Sequence, residues 1–200
     1  MNPEGGSMDL QGLARGGVTE SWMAGRGTQV TVRRTRVQDG AALRAMVDAL
    51  SRESRYYRFL TGGRVIDEIV AGLAAPGDGG VALVVVAPDE AGGQTIVASA
   101  EYVVSGQIAE FAVVVADAWQ GQGLGRRLIA RLCELARAAG LHGLRGDVLS
   151  ENRRMLAILK GLGFASRRNP QDSYLHEVTL ALAQPARSTQ RLPADWFSAR

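Results

Sequence analysis

Gln120-Gly121-Gln122-Gly123-Leu124-Gly125-Arg126-Arg127 is the stretch on which the reading of this chain turns. An apolar, β-branched run from Ile108 to Ala116 leads into it and predicts a strand. An amphipathic segment from Gly123 to Ala139 leads out of it. Leu124, Leu128, Leu132, Leu135 and Ala136 fall on one helical face, and Gly140 is the expected stop. Glycines at such a junction let the backbone approach a ligand with no Cβ in the way. The unpaired N–H groups of a helix start favour an anion such as a pyrophosphate. Arg126 and Arg127 add phosphate donors.

Working outward, the pattern alternates. Val30 to Val37 reads as a strand, and Asp39 to Leu50 as a helix with Leu43, Met46, Val47 and Leu50 on one face. Ser51 to Leu60 and Val65 to Ala74 are two further helical pieces. Val81 to Ala87 is a continuous apolar run, hence a buried strand. Gln94 to Val104 and Ile108 to Ala116 flank Ser105-Gly106 and predict a hairpin. Gly146 to Leu149 is a strand, Asn152 starts a helix ending near Gly161-Leu162-Gly163, and Phe164 and then Tyr174 to Leu182 form a last β segment. This order predicts an α/β (α+β) domain with a central sheet flanked by helices. Residues 1–27 lack periodicity and read as a disordered arm, residues 28–183 as the domain, and residues 184–200 as a polar tail. Trp22 and Met23 are a small potential docking patch within the arm.

Composition narrows the classes. Cys133 is the single cysteine, which excludes an internal disulfide or a cysteine-based zinc site, and no metal is expected. A net charge of +3, spread along the chain, gives no clustered basic stripe for nucleic acid. No apolar run is long enough for a membrane helix and no signal-peptide pattern opens the chain, so a cytoplasmic protein is expected.

Three ligands compete for the glycine loop. A nucleoside-triphosphate loop needs Gly-Lys-Ser/Thr, and here arginine follows the last glycine. A dinucleotide fingerprint from Gly121 has Arg126 at its sixth position, although Asp147 stands in the next strand. The third reading is the pyrophosphate loop of an acyl-CoA enzyme. Strand, Gln120-Gly-Gln-Gly-Leu-Gly125 and long helix resemble the acetyl-CoA motif of the GNAT N-acetyltransferase superfamily. Asp147-Val-Leu-Ser-Glu-Asn152, a helix and Gly163-Phe164 resemble its second half. The resemblance covers about Thr28 to Ala183. Leu50–Phe59 and Leu149–Met155 are similar to bacterial protein-lysine acetyltransferases that modify acyl-CoA synthetases.

The resemblance implies a mixed, mostly antiparallel sheet, splayed between the strand before the glycine loop and the next strand. It implies acetyl-CoA as cosubstrate. Pantetheine would pair with main-chain groups of Val113 and Val115. The pyrophosphate would meet the N–H groups of Gln120, Gly121, Gln122, Gly123, Leu124, Gly125 and Arg126. Asn152 would contact the CoA arm, cap its helix, or do both.

The chemistry implied is attack of an amine on a thioester. A lysine-type amine, of pKa about 10.4, arrives protonated, so a base must take its proton directly or through water. A backbone N–H can stabilise the oxyanion, and a thiol of pKa about 8.5 leaves with little help. Glu110 is the expected base: it lies about 23 Å at strand rise from Asp117, at the acyl end of the strand. Glu101 on the hairpin partner is second in line. Many family members carry a tyrosine acid where this chain has Leu159, leaving Tyr102 and Tyr174 as weaker candidates. Cys133 reads as core, and Tyr57 and Phe59 as core more than as acceptor wall.

Three functions follow: acetylation of a protein lysine, most directly on an acyl-CoA synthetase; acetylation of a small amine such as a polyamine, amino acid or antibiotic; or acyl-CoA sensing without turnover. A monomer or a homodimer suits all three.

Overall fold

The sheet is built around Val81–Pro88, whose residues are buried on both faces up to Ala87. Only a strand covered on both sides tolerates such an unbroken apolar run. The protein is described here from a computed structural model, which covers residues 19–25, 27–59, 66–74 and 76–182. Eight strands form one sheet: β1 (Glu20–Met23), β2 (Gln29–Arg34), β3 (Val81–Pro88), β4 (Gln94–Ser105), β5 (Ile108–Val115), β6 (Gly143–Leu149), β7 (Ala165–Arg168) and β8 (Leu175–Ala181). Their spatial order is β1-β2-β3-β4-β5-β6-β8-β7. Every pairing is antiparallel except β5 with β6.

Among the described residues five helices flank it: α1 (Gly40–Asp48), α2 (Arg52–Phe59), α3 (Ile66–Ala74), α4 (Leu124–Ala138) and α5 (Arg153–Lys160). The long helix α4 buries Leu124, Leu128, Leu132, Leu135 and Ala136, the stripe its periodicity predicts. They join Ala98, Ala100, Tyr102 and Phe111 in the larger core. On the other face Leu43, Met46 and Val47 of α1 and Leu73 of α3 pack on Val84 and Val86. A one-residue slip of β5 would exchange its two faces, so this double-sided core fixes the register.

The sheet is mixed and mostly antiparallel, as expected, and it splays at the expected place. β5 and β6 pair only through Ile108–Glu110 and Gly143–Arg145. Beyond Glu110 the strands part, β5 continuing to Val115 and β6 to Leu149.

Two expectations need correction. The arm read over residues 1–27 fails at its end, because Glu20–Met23 forms edge strand β1 on β2. Trp22 packs against the larger core, and the Arg127 guanidinium lies 5.0 Å from its ring centroid. Composition hid this four-residue strand, although its partners Gln29–Val32 on β2 lie close by in sequence. The single last β segment resolves into two strands, with β8 inserted between β6 and β7. Residues 1–18 and the expected tail at 184–200 lie outside the described residues.

Candidate active site

The fork between β5 and β6 builds the site. Ala116 N–H donates to Val97 O across the β4 edge at 2.9 Å. Main-chain groups alternate along a strand, so the N–H and C=O of Val113 and Val115 point the other way, into the gap. An unpaired strand edge of this kind accepts an extended amide-bearing chain. Val115 C=O already receives a bond from Gln120 Nε2 at 3.2 Å.

After β5 a 3-10 turn, Asp117–Trp119, leads into the glycine loop. Gly121 has φ +81° and Gly123 φ +86°, a region where an L side chain is strained. Gly123 is the N-cap of α4, and the N–H groups of the helix's first turn have no intrahelical acceptor. A cleft of about 860 Å³ runs from this loop along β5 to β6, with α5 on one flank and α2 on the other.

Side chains around the loop divide in a way the sequence did not show. Arg154 of α5 takes a place at the loop: its Nη2 would lie 3.0 Å from a Cβ on Gly121. Arg126 lines the cleft, but its guanidinium donates to Gly161 O at 3.2 Å. Arg127 is corrected as a phosphate donor, because it stacks on Trp22 and faces Glu20 at 3.9 Å. Leu124 is buried, and Gln122 turns its amide onto Ala118 O at 3.2 Å, so these two residues offer only main-chain groups. Asn152 lines the cleft and caps α5, its Oδ1 accepting from Met155 N–H at 3.1 Å.

The far end of the cleft and the adjoining sheet face carry charged pairs. Glu110 is the last β5 residue paired with β6, and its Oε2 lies 3.3 Å from Arg145 Nη2. Its side chain is 60% exposed and outside the cleft lining. Asp147, two residues beyond Arg145 on β6, does line the cleft. Burial pushes its carboxyl above the usual range, and the charges of Glu110 and Glu177 push it further. Glu101 bonds Arg58 Nη2 at 2.6 Å, with both side chains largely buried. Burial lifts the Glu101 carboxyl and lowers the Arg58 guanidinium, against their mutual attraction.

Tyr57 lines the cleft, correcting its expected place in the core, while Phe59 is buried as expected. Tyr102 is core, Tyr174 is 75% exposed and outside the cleft, and Leu159 is buried. α5 therefore presents Arg153, Arg154, Met155, Ala157 and Ile158 to the cleft, and no phenol. Burial raises the Cys133 thiol to about 11, which removes it as a nucleophile. Among the described residues no cluster of metal-ligating side chains occurs and no helix is long and apolar enough to cross a membrane.

The open edge of β5, the left-handed glycines and the bare helix start together suit a ligand with amides at one end and a pyrophosphate at the other. That is the chemistry of an acyl-CoA, and it defines an acyl-CoA-using enzyme on a split sheet. The chain belongs to the acetyltransferase (GNAT) family, whose model matches residues 45–164. It is 30% identical over 164 residues to acetyltransferase PA5475 of Pseudomonas aeruginosa, covering 77% of this chain and 86% of that protein. Among solved structures it is similar to the GNAT domain of S. lividans PAT, with TM-score 0.70 and 22% identity over 82% of this chain and 97% of that one. It is also similar to yncA of Salmonella typhimurium, solved with its cofactor acetyl-CoA, with TM-score 0.58 and 22% identity over 78% of this chain and 96% of that one. The protein is thus an N-acetyltransferase of a family that uses acetyl-CoA, which sets aside the dinucleotide and non-catalytic readings.

Proposed function

We propose that this cytoplasmic acetyltransferase transfers acetyl directly to a protein lysine, with Glu110 as base and an acyl-CoA synthetase as acceptor. Acetyl-CoA supplies the acyl thioester. Main-chain groups of Val113 and Val115 hold the pantetheine amides. N–H groups from Gln120 to Arg126, with Arg154, hold the phosphates, and Asn152 steadies the arm. Glu110 takes the ammonium proton, directly or through one water.

One observation carries this reading: Glu110 stands at the last paired residue before the sheet opens. Glu110, Arg145, Asp147 and Thr179 lie exposed together on the adjoining sheet face. A lysine carried on a large partner can reach a base placed there. The similarity of Leu50–Phe59 and Leu149–Met155 to protein-lysine acetyltransferases supports the same acceptor. A small cationic amine is the second reading, favoured by Glu53, Asp147 and Glu151 in the cleft wall.

Thiol release from acetyl-CoA, measured with acyl-CoA synthetases in one panel and polyamines, amino acids and aminoglycosides in another, separates the two. Turnover only with a synthetase, lost when its active-site lysine is replaced, is the expected result. Turnover confined to a small amine would sink the protein-acceptor reading.

A further inference from the structure

Helix α2 supplies Glu53, Ser54, Tyr57 and Arg58 to the cleft, yet Phe59 is its single buried residue. A helix with so little apolar surface covered depends on polar ties for its place. At its C-terminal end Arg58 bonds Glu101 at 2.6 Å, and Arg55 donates to Val47 O and Asp48 O at 3.2 and 2.8 Å. Its N-terminal end is tied to the other side of the cleft.

There Ser51 Oγ accepts from Ser54 N–H at 3.1 Å. The Asp117 carboxylate accepts from Ser51 N–H at 2.8 Å, from Ser51 Oγ at 2.8 Å and from Ser54 Oγ at 2.6 Å. Ser54 Oγ in turn accepts from Gln120 Nε2 at 2.9 Å, and the same amide donates to Val115 O at 3.2 Å. Each hydroxyl donates once and accepts once, and the amide uses its two hydrogens on two acceptors. One hydrogen-bonded ring therefore joins the first turn of α2, the end of β5 and the first residue of the glycine loop. Burial alone would raise the Asp117 carboxyl, but the bonds from Ser54 and Ser51 outweigh it and hold it below the usual range.

We infer that Asp117 is a positioning residue: it makes the acceptor-side helix α2 follow the glycine loop, so that filling the loop sets the acceptor wall of the cleft. The inference rests on the acetyl-CoA reading of that loop. Gln120 is both a phosphate-loop residue and a partner of Ser54. A ligand that fixes Gln120 fixes Ser54, and through Asp117 it fixes the N-terminus of α2. The donor's hold on the loop then steadies the wall that the acceptor meets.

Hydrogen exchange on the full chain, with coenzyme A as the probe, tests this without knowledge of the acceptor. In the wild type, coenzyme A should slow exchange of the 120–126 amides and also of the 52–59 amides, the latter by about tenfold or more. In Asp117→Asn, slowing at 120–126 should persist while that at 52–59 falls within about twofold of no effect. Ser54→Ala removes the ring's central hydroxyl with the carboxylate left in place, and should give the same uncoupling if Asp117→Asn folds poorly. A merely structural Asp117 would loosen α2 equally with and without coenzyme A, leaving the ligand-induced slowing intact, and that result overturns the inference. So does a wild type protected at 120–126 alone. Absence of protection at both segments would instead overturn the acetyl-CoA reading, and the coupling with it.

Discussion

The two sides of the cleft are made from different material. The side proposed to hold the donor is main chain: the outward-facing groups of Val113 and Val115, the loop held by Gly121 and Gly123, and the first turn of α4. The acceptor side is side-chain pairs: Arg58 with Glu101, Arg145 with Glu110, and Asp117 with Ser51 and Ser54. Main-chain sites bind what every acyl-CoA shares and need only the right backbone angles. Side-chain pairs are set by partners far apart in sequence, so they can be retuned to an acceptor without disturbing the donor.

The largest effect should come from the donor side. Gly123→Val places a β-branched side chain at φ +86°, at a strain of about 1–2 kcal/mol, beside the N–H groups proposed to take the phosphates. Wild-type stability should rise with acetyl-CoA by about 2.7 kcal/mol at a hundredfold excess over Kd. Gly123→Val should show no acetyl-CoA-dependent rise in Tm and no heat of binding by calorimetry. Wild-type affinity in that variant would mean the phosphates lie elsewhere.

Next comes Glu110, the proposed base. Glu110→Gln should lower kcat by about 10²- to 10⁴-fold, the usual contribution of a positioned base. Because Glu110 lies outside the cleft lining, the acetyl-CoA-induced rise in Tm should survive. That split would sharpen the contrast between the two sides. Unchanged turnover would pass the role to Asp147, since Glu101 is already bound to Arg58.

This division also explains what was legible in the chain. The order of elements, the α4 stripe and the glycine loop follow from local periodicity and from glycine spacing, which the sequence carries directly, whereas the fork was implied only by the family resemblance. Asn152 was legible as a cap because a cap is local too. Asp117, Ser54, Arg58 and Arg154 were not singled out for the site. The residues that place them in the site lie more than 30 positions away, so no spacing rule joins Ser54 to Asp117, Arg58 to Glu101 or Arg154 to Gly121. Arg127 misled for the same reason: beside the glycines it looks like a phosphate donor, but β1 claims it from a hundred residues upstream. Tyr57 misled because hydrophobic pattern does not distinguish a core face from a cleft face.

The acceptor side should also be the more fragile in folding. Glu101→Leu leaves the Arg58 guanidinium without its carboxylate in a largely buried place. Breaking one half of such a pair costs about 3–5 kcal/mol. Urea unfolding should show a lower midpoint at unchanged slope, and Arg58→Met added to Glu101→Leu should recover much of the loss. An undisturbed midpoint in Glu101→Leu would show that α2 is held without this pair.

The smallest effect should run in the opposite direction. The carboxyl of Asp147 is raised in the folded state by burial and by the charges of Glu110 and Glu177, with Arg145 and Asn169 opposing. A group whose folded pKa exceeds its unfolded value, about 3.9 for aspartate, adds stability below that value. It loses that contribution as pH rises through the folded pKa. At neutral pH the ionised Asp147 therefore opposes folding, and because solvent screens so exposed a group Asp147→Asn should raise stability only slightly. The gain should fade in titrations carried below about pH 3.9, where the wild-type carboxyl is protonated in both states. If Asp147 helps draw a cationic acceptor to Glu110, the same variant loses turnover while gaining stability. A variant that gained neither stability at neutral pH nor lost turnover would place Asp147 outside the electrostatics of the acceptor side.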